Sequence, residues 1–184
     1  MFRQHQLIFA DDLRGLLQLK ADAYMDLMFE PIAERIEALQ SLAASPIFVN
    51  SVIQPLSRID NRFIRINGWP GFLDMPLLEA AAGEESRQKA REIFGEYILF
   101  VKDVPGFVNP RIISMIINEA YYTLEAGTGS REEIDIAMKL GTGYPMGPFE
   151  WGEKIGLGNI QLLLSALGET NPVYVPAPGI VNEK

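Results

Sequence analysis

The chain has 184 residues, 48% of them apolar and 22% charged, which is the composition of a globular protein of one domain or two small ones. A net charge of −8 with no basic stripe argues against nucleic-acid binding, no apolar run approaches the ~20 residues of a membrane span, and the first dozen residues lack the apolar core of a signal peptide. Cysteine is absent, which excludes disulfides, thiolate catalysis and cysteine metal sites and makes a cytoplasmic location the expectation.

The first hundred residues alternate short apolar runs with helical ones. "LIFA" (7–10) precedes "DDLRGLLQLK", in which Leu13, Leu16 and Leu17 share a helix face. "AYMDLMF" (23–29) is followed by "EPIAERIEALQSLAA", with Ile32, Ile36 and Leu39 on one side. "PIFVN" (46–50), "RFIRI" (62–66) and "MPLLEAA" come next, then a solvated helix in "ESRQKAREIFGEY" and a strand in "ILFVKD" (98–103). Strands alternating with helices predict an α/β layer with a largely parallel sheet. The run 7–10, its short helix and 23–29 have the layout of a βαβ unit. The expected strand order is therefore 7–10, 23–29, 46–50, 62–66, with later strands beyond.

At "VPGFVNP" the pattern changes, and only helices follow. Asn109-Pro110 suits a cap or first turn, Ile113, Ile116, Ile117, Ala120 and Leu124 keep the 3.6 period, and Gly127 stops the helix. "SREE" (130–133) is a capping box that opens a second helix. "MKLGTGYPMGPFEWGEKIGL" (138–157) then packs five glycines and two prolines among Tyr144, Met146, Phe149 and Trp151. Its "GTGYPMG" superficially looks like a dinucleotide fingerprint. The spacing is wrong, however, and it follows a helix where a pyrophosphate cradle needs a strand. A structural turn is the preferred reading. The domains expected are an α/β part, 1–103, and a helical part, 104–184.

"KDVPGFVNPRI", "NEAYYTLEAG" and "SREEIDIAMKLGTGYPMGPFEW" resemble, in order and spacing, the C-terminal domain of the 3-hydroxyacyl-CoA dehydrogenase family. "DLRGLLQLKADAYMDLMFEPIAERIEAL", "SPIFVNSVIQPLSRI" and "NRFIRINGWPGFLDMPLLEAA" are similar to the second half of that family's NAD-binding domain. The resemblance implies a truncated Rossmann-like parallel sheet followed by a helical dimerisation domain. The Gly-rich strand-turn-helix that opens the family's nucleotide unit has no counterpart in the sequence, so no cofactor is expected although the family uses NAD.

Members of the family oxidise a 3-hydroxyacyl thioester with a histidine base, a glutamate that orients it, and a serine and an asparagine that bind substrate oxygens. The match puts Asn67 at the histidine position, and an amide is no base near neutral pH. His5, the single histidine, lies elsewhere in the chain. Glu79 stands at the glutamate position and is the catalytic match retained. The serine position falls on Val52, with Ser51 beside it. The asparagine position falls on Pro110, with Asn109 before it. Glu30, Arg35 and Asn50 match cofactor-side positions, but a solvated acid and base are the plainer reading of the first two.

The expectation is a family member of fatty-acid β-oxidation type that does not catalyse the reaction by itself. It would act as a binding or assembly protein and pair into a homodimer through 104–167. One alternative is an NAD-dependent dehydrogenase completed by a second chain. Another is a sensor of acyl-CoA or another small molecule, using a cleft around Asn67, Trp69 and Glu79.

Overall fold

The computed structural model describes residues 5–42 and 44–183, which form two compact units, 1–107 and 108–184. In the first unit five strands run in the order β1-β2-β3-β4-β5: Tyr24–Asp26, Ile47–Asn50, Ile64–Ile66, Leu78–Ala81 and Ile98–Phe100. Neighbours are parallel except β3 and β4. Parallel neighbours need a crossover, and helices α2 (Ala33–Gln40) and α3 (Glu84–Phe94) supply two of them. The eleven residues from Asn67 to Leu77 contain no helix, so β4 returns antiparallel.

Strand alternation sorts the core into two layers. Phe48, Ile64, Ile66, Leu78, Ala80 and Ile98 pack with Ala90 and Phe94 of α3 on one face. Ile47, Val49 and Phe63 pack with Leu39 of α2 and with Phe29 and Leu56 on the other.

The run 7–10 is not a strand, contrary to expectation. Leu7, Ile8 and Phe9 are exposed, Phe9 by 86%. Four successive apolar residues need cover on both faces to hold in a sheet. Helix α1 (Leu13–Gln18) is six residues long and buries none of them. The Tyr24 hydroxyl donates to the Leu19 carbonyl and accepts from the Ala21 amide, which turns the chain directly into β1. β1 is therefore the edge strand, and β1, β2 and β3 take the order expected of 23–29, 46–50 and 62–66.

The second unit is helical: α4 (Asn109–Glu125), α5 (Arg131–Thr142), α6 (Pro148–Ile155), α7 (Leu157–Gly168) and α8 (Pro178–Asn182). Helix α4 is the central one, and Ile113, Ile117, Ala120 and Tyr121 are its buried face. Ser130 and Glu133 form the expected capping box at the start of α5. Asn118 holds the segment before α8: its amide nitrogen donates to the Val175 carbonyl and its oxygen accepts from the Ala177 amide. At the far end Glu183 accepts from the Tyr121 hydroxyl and from Arg131.

Candidate functional site

The α2-side face of the sheet is apolar toward one end and polar toward the other. Asp26, Arg65, Asn67 and Glu79 all point to this face, and all are buried. They cluster toward the carboxyl ends of β1, β2 and β3, where open α/β sheets hold ligands. Buried polar groups are costly unless paired, so each pairing matters.

Asn67 and Glu79 face each other across the β3–β4 ladder, where the Asn67 amide N–H donates to the Glu79 carbonyl at 3.0 Å. The side chains continue that pairing. Nδ2 of Asn67 donates to Oε2 of Glu79 at 3.2 Å, with the two residues 2% and 4% exposed. Oδ1 of Asn67 accepts from the Trp69 amide at 3.4 Å, and Trp69 is buried beside it. Both positions matched to a base and its orienting acid therefore meet, and an amide stands where the base is expected.

The other matched positions fall in both units. Val52 is buried just past β2, and the Ser51 hydroxyl is turned to the Gln54 carbonyl. Pro110 and Asn109 belong to the second unit, where they are the first two residues of α4, in its first turn as expected, with Val108 at the cap position. His5 is exposed, with its ring edge-on to Phe94 at 5.7 Å.

Two of the three cofactor-side matches, Arg35 and Asn50, are occupied by internal contacts. Arg35 donates twice to Asp26, at 2.7 Å each, and this pairing raises the guanidinium above its ordinary pKa. Asn50 donates to the Leu27 carbonyl and accepts from the Gly68 amide, tying the ends of β1, β2 and β3 together. Glu30 is exposed.

A dinucleotide needs helix N–H groups and glycines at its pyrophosphate. Among the described residues, the strand-to-helix turn with a glycine at its cap is Gly83, and it opens on Glu84 and Glu85, whose charges repel phosphate. These residues do not fit the group that the resemblance implies. The "GTGYPMG" turn does not fit it either. Gly143 ends α5 with φ 74°, and the α6 amides of Phe149 and Glu150 already donate to the Asp135 carboxylate at 2.8 and 3.2 Å. Among the described residues no group of histidines and acids is arranged to hold a metal, and no helix is long and apolar enough to cross a membrane.

Sequence reasoning missed Arg65 and its partner Asp103. The signal was present in "RFIRIN", where a charged residue occupies an inward position between two isoleucines of a strand.

The helical unit has a groove of about 530 Å³ between α4 and α5, floored by Ile116, Ala120, Ile134 and Met138 with Glu119 and Glu133 among its lining. Glu133 is committed to the capping box.

Residues 106–182 match the family described as 3-hydroxyacyl-CoA dehydrogenase, C-terminal domain. The mitochondrial hydroxyacyl-coenzyme A dehydrogenase of Sus scrofa is 31% identical over 180 residues, covering 84% of this chain and 57% of that protein. The 3-hydroxybutyryl-CoA dehydrogenase of Bradyrhizobium diazoefficiens is 34% identical over 154 residues, covering 79% and 52%. The crystal structure of (S)-3-hydroxybutyryl-CoA dehydrogenase from Ralstonia eutropha superposes with a TM-score of 0.72 at 26% identity, covering 87% of this chain and 64% of that one. The chain thus spans little more than half the length of these two curated relatives.

Proposed function

Because this chain belongs to the 3-hydroxyacyl-CoA dehydrogenase family, we propose that it binds an acyl-CoA-type ligand at the Asn67–Glu79 pair without oxidising it. The observation that carries this reading is the 3.2 Å contact from the Asn67 amide to the Glu79 carboxylate. A general base must take up a proton, and an amide nitrogen in a side chain can only donate. Asn67 can bind a hydroxyl or carbonyl oxygen, and Glu79 keeps its amide in one orientation. The 3-hydroxybutyryl-CoA dehydrogenases among the relatives suggest the ligand class, a 3-hydroxyacyl thioester.

The test is calorimetry with 3-hydroxybutyryl-CoA beside an assay of NADH formation. Binding without turnover is the expected result. Asn67→His alone should not produce turnover, because Val52 and Pro110 hold the two positions matched to substrate-binding polar residues. NADH formation by the wild-type chain would overturn the reading of Asn67, and failure to bind the thioester would overturn the ligand class.

A second reading, pairing of two copies through the helical unit, has its own observation. Helix α5 is apolar over more of its circumference than its unit covers. Ile134 and Met138 face the groove, while Ile136 and Leu140, one turn apart, are exposed by 52% and 84%.

A further inference from the structure

Arg65 occupies the middle of β3 and is 0% exposed. Burial pushes its guanidinium below the ordinary pKa, and the Asp103 carboxylate pushes it back. A buried charge needs a counter-ion, and Nη1 has one in Asp103. Charge balance does not explain the other donors. Nε donates to the Ser51 carbonyl at 2.8 Å and Nη2 to the Val52 carbonyl at 3.0 Å. These are successive carbonyls of the loop that leaves the carboxyl end of β2.

The partners of Arg65 extend the clamp. Asp103 accepts from the Leu56 amide at 3.0 Å, so the far end of the same loop is held too. The Val52 carbonyl also accepts from the Gly106 amide at 2.8 Å. The guanidinium carbon lies 4.7 Å from the centre of the Phe107 ring. Phe107 has φ 45° and is the one non-glycine residue with positive φ among the described residues. Such a backbone persists where its surroundings hold it.

We propose that Arg65 is a positioning residue for the ligand site. It fixes the 51–56 loop as a rigid wall beside Asn67, which lies two residues on from Arg65, just past the end of β3, and on the same face. This rests on the reading of the Asn67–Glu79 pair as a binding site. Preorganised walls raise affinity by removing the ordering cost from the binding step.

The experiment compares wild type, Arg65→Lys and Arg65→Met by amide hydrogen exchange and by calorimetry with 3-hydroxybutyryl-CoA. In Arg65→Met, segment 52–56 and Gly106 should exchange about tenfold faster or more while α3, β4 and β5 keep their protection. Affinity should fall roughly fivefold or more. Arg65→Lys keeps the charge beside Asp103 but cannot reach both carbonyls, so it should lie between the two. If Arg65→Met does not fold, Arg65→Met/Asp103→Asn removes both charges, keeps an acceptor for the Leu56 amide, and is read against Asp103→Asn alone. A merely structural role predicts faster exchange everywhere. Unchanged exchange of 52–56 overturns the positioning role, as does a loosened loop with undiminished affinity. If the wild-type chain binds no thioester, the parent reading falls, and the exchange arm still decides whether Arg65 orders the loop.

Discussion

The carboxylate of Asp135 fills the space in which a β-carbon on Gly147 would have to stand. Gly147 has φ −72° and ψ 162°, a conformation open to any residue, so the glycine is required for space and not for backbone freedom. Asp135, on α5, caps α6 from outside by accepting from the Phe149 and Glu150 amides, while Glu150 reaches back to the Gly147 amide. Lys139 closes the arrangement onto Glu150. The glycine-rich turn between α5 and α6 is thus a joint between two helices.

Gly147→Ala should therefore destabilise the helical unit by about 2 kcal/mol or more, as overpacking does where neighbours cannot move. Asp135→Ala should cost about 1–2 kcal/mol, the upper part of the range for a lost helix cap. Gly158→Ala is the control, since nothing lies within 4 Å of the added carbon and α7 gains a better helix former. Chemical denaturation followed by circular dichroism measures all three. Equal effects at 147 and 158 would contradict the account.

Asp60 gives a prediction about acid. It accepts from Gln40 of α2 and from the backbone and side chain of Arg62, and the Arg62 contacts above all hold its pKa down at about 2. A carboxyl depressed in the folded state stabilises that state above its unfolded pKa, near 3.9, and the contribution disappears as pH falls toward 2. With the exposure of Arg62 discounted, it is worth about 1–2 kcal/mol. Asp60→Asn should lower stability by that amount at pH 7 and by much less at pH 2.5. A constant difference from pH 7 to pH 2.5 would contradict the assignment.

The sequence shows most where local chemistry alone decides the structure. Ser130 with Glu133, the stop at Gly127 and the isoleucine face of α4 follow from short-range rules, and all are found. The strands 46–50 and 62–66 are apolar enough to be core whichever neighbour they take. Residues 7–10 look equally strand-like, yet a strand also needs a partner and cover on two faces, and neither is encoded within four residues. The same limit hides the site. Asn67 and Glu79 could be paired only through the resemblance, since a hairpin register separates them by twelve positions. The Arg65 clamp joins residues 14 and 38 positions away, beyond the reach of any sequence period.

Phe9 turns the failed strand into a measurement. A phenylalanine in a sheet costs about 3–5 kcal/mol to truncate to alanine. At 86% exposure the same change touches almost nothing. Phe9→Ala should shift the stability of the first unit by less than about 0.5 kcal/mol. A loss above about 2 kcal/mol would mean that 7–10 is covered in solution.

Leu140 and Ile136 form an exposed apolar stripe on α5, and Ile112 on α4 is exposed by 54%. Scattered exposed apolar residues are ordinary, but an i, i+4 pair on one helix makes a continuous strip. The strip adds nothing to its own unit, so exchanging it for charge should leave folding intact. Leu140→Glu should change the stability of the unit by less than about 0.5 kcal/mol, as at other surface positions. It should nevertheless abolish self-association, because a two-fold contact presents each substituted residue twice and buries both new charges. Light scattering at tens of micromolar should give twice the chain mass for the wild type and the chain mass for the variant. Wild type at the mass of one chain would refute the pairing. A variant still at twice that mass would place the contact on another face, where Ile112→Glu is the next substitution to measure.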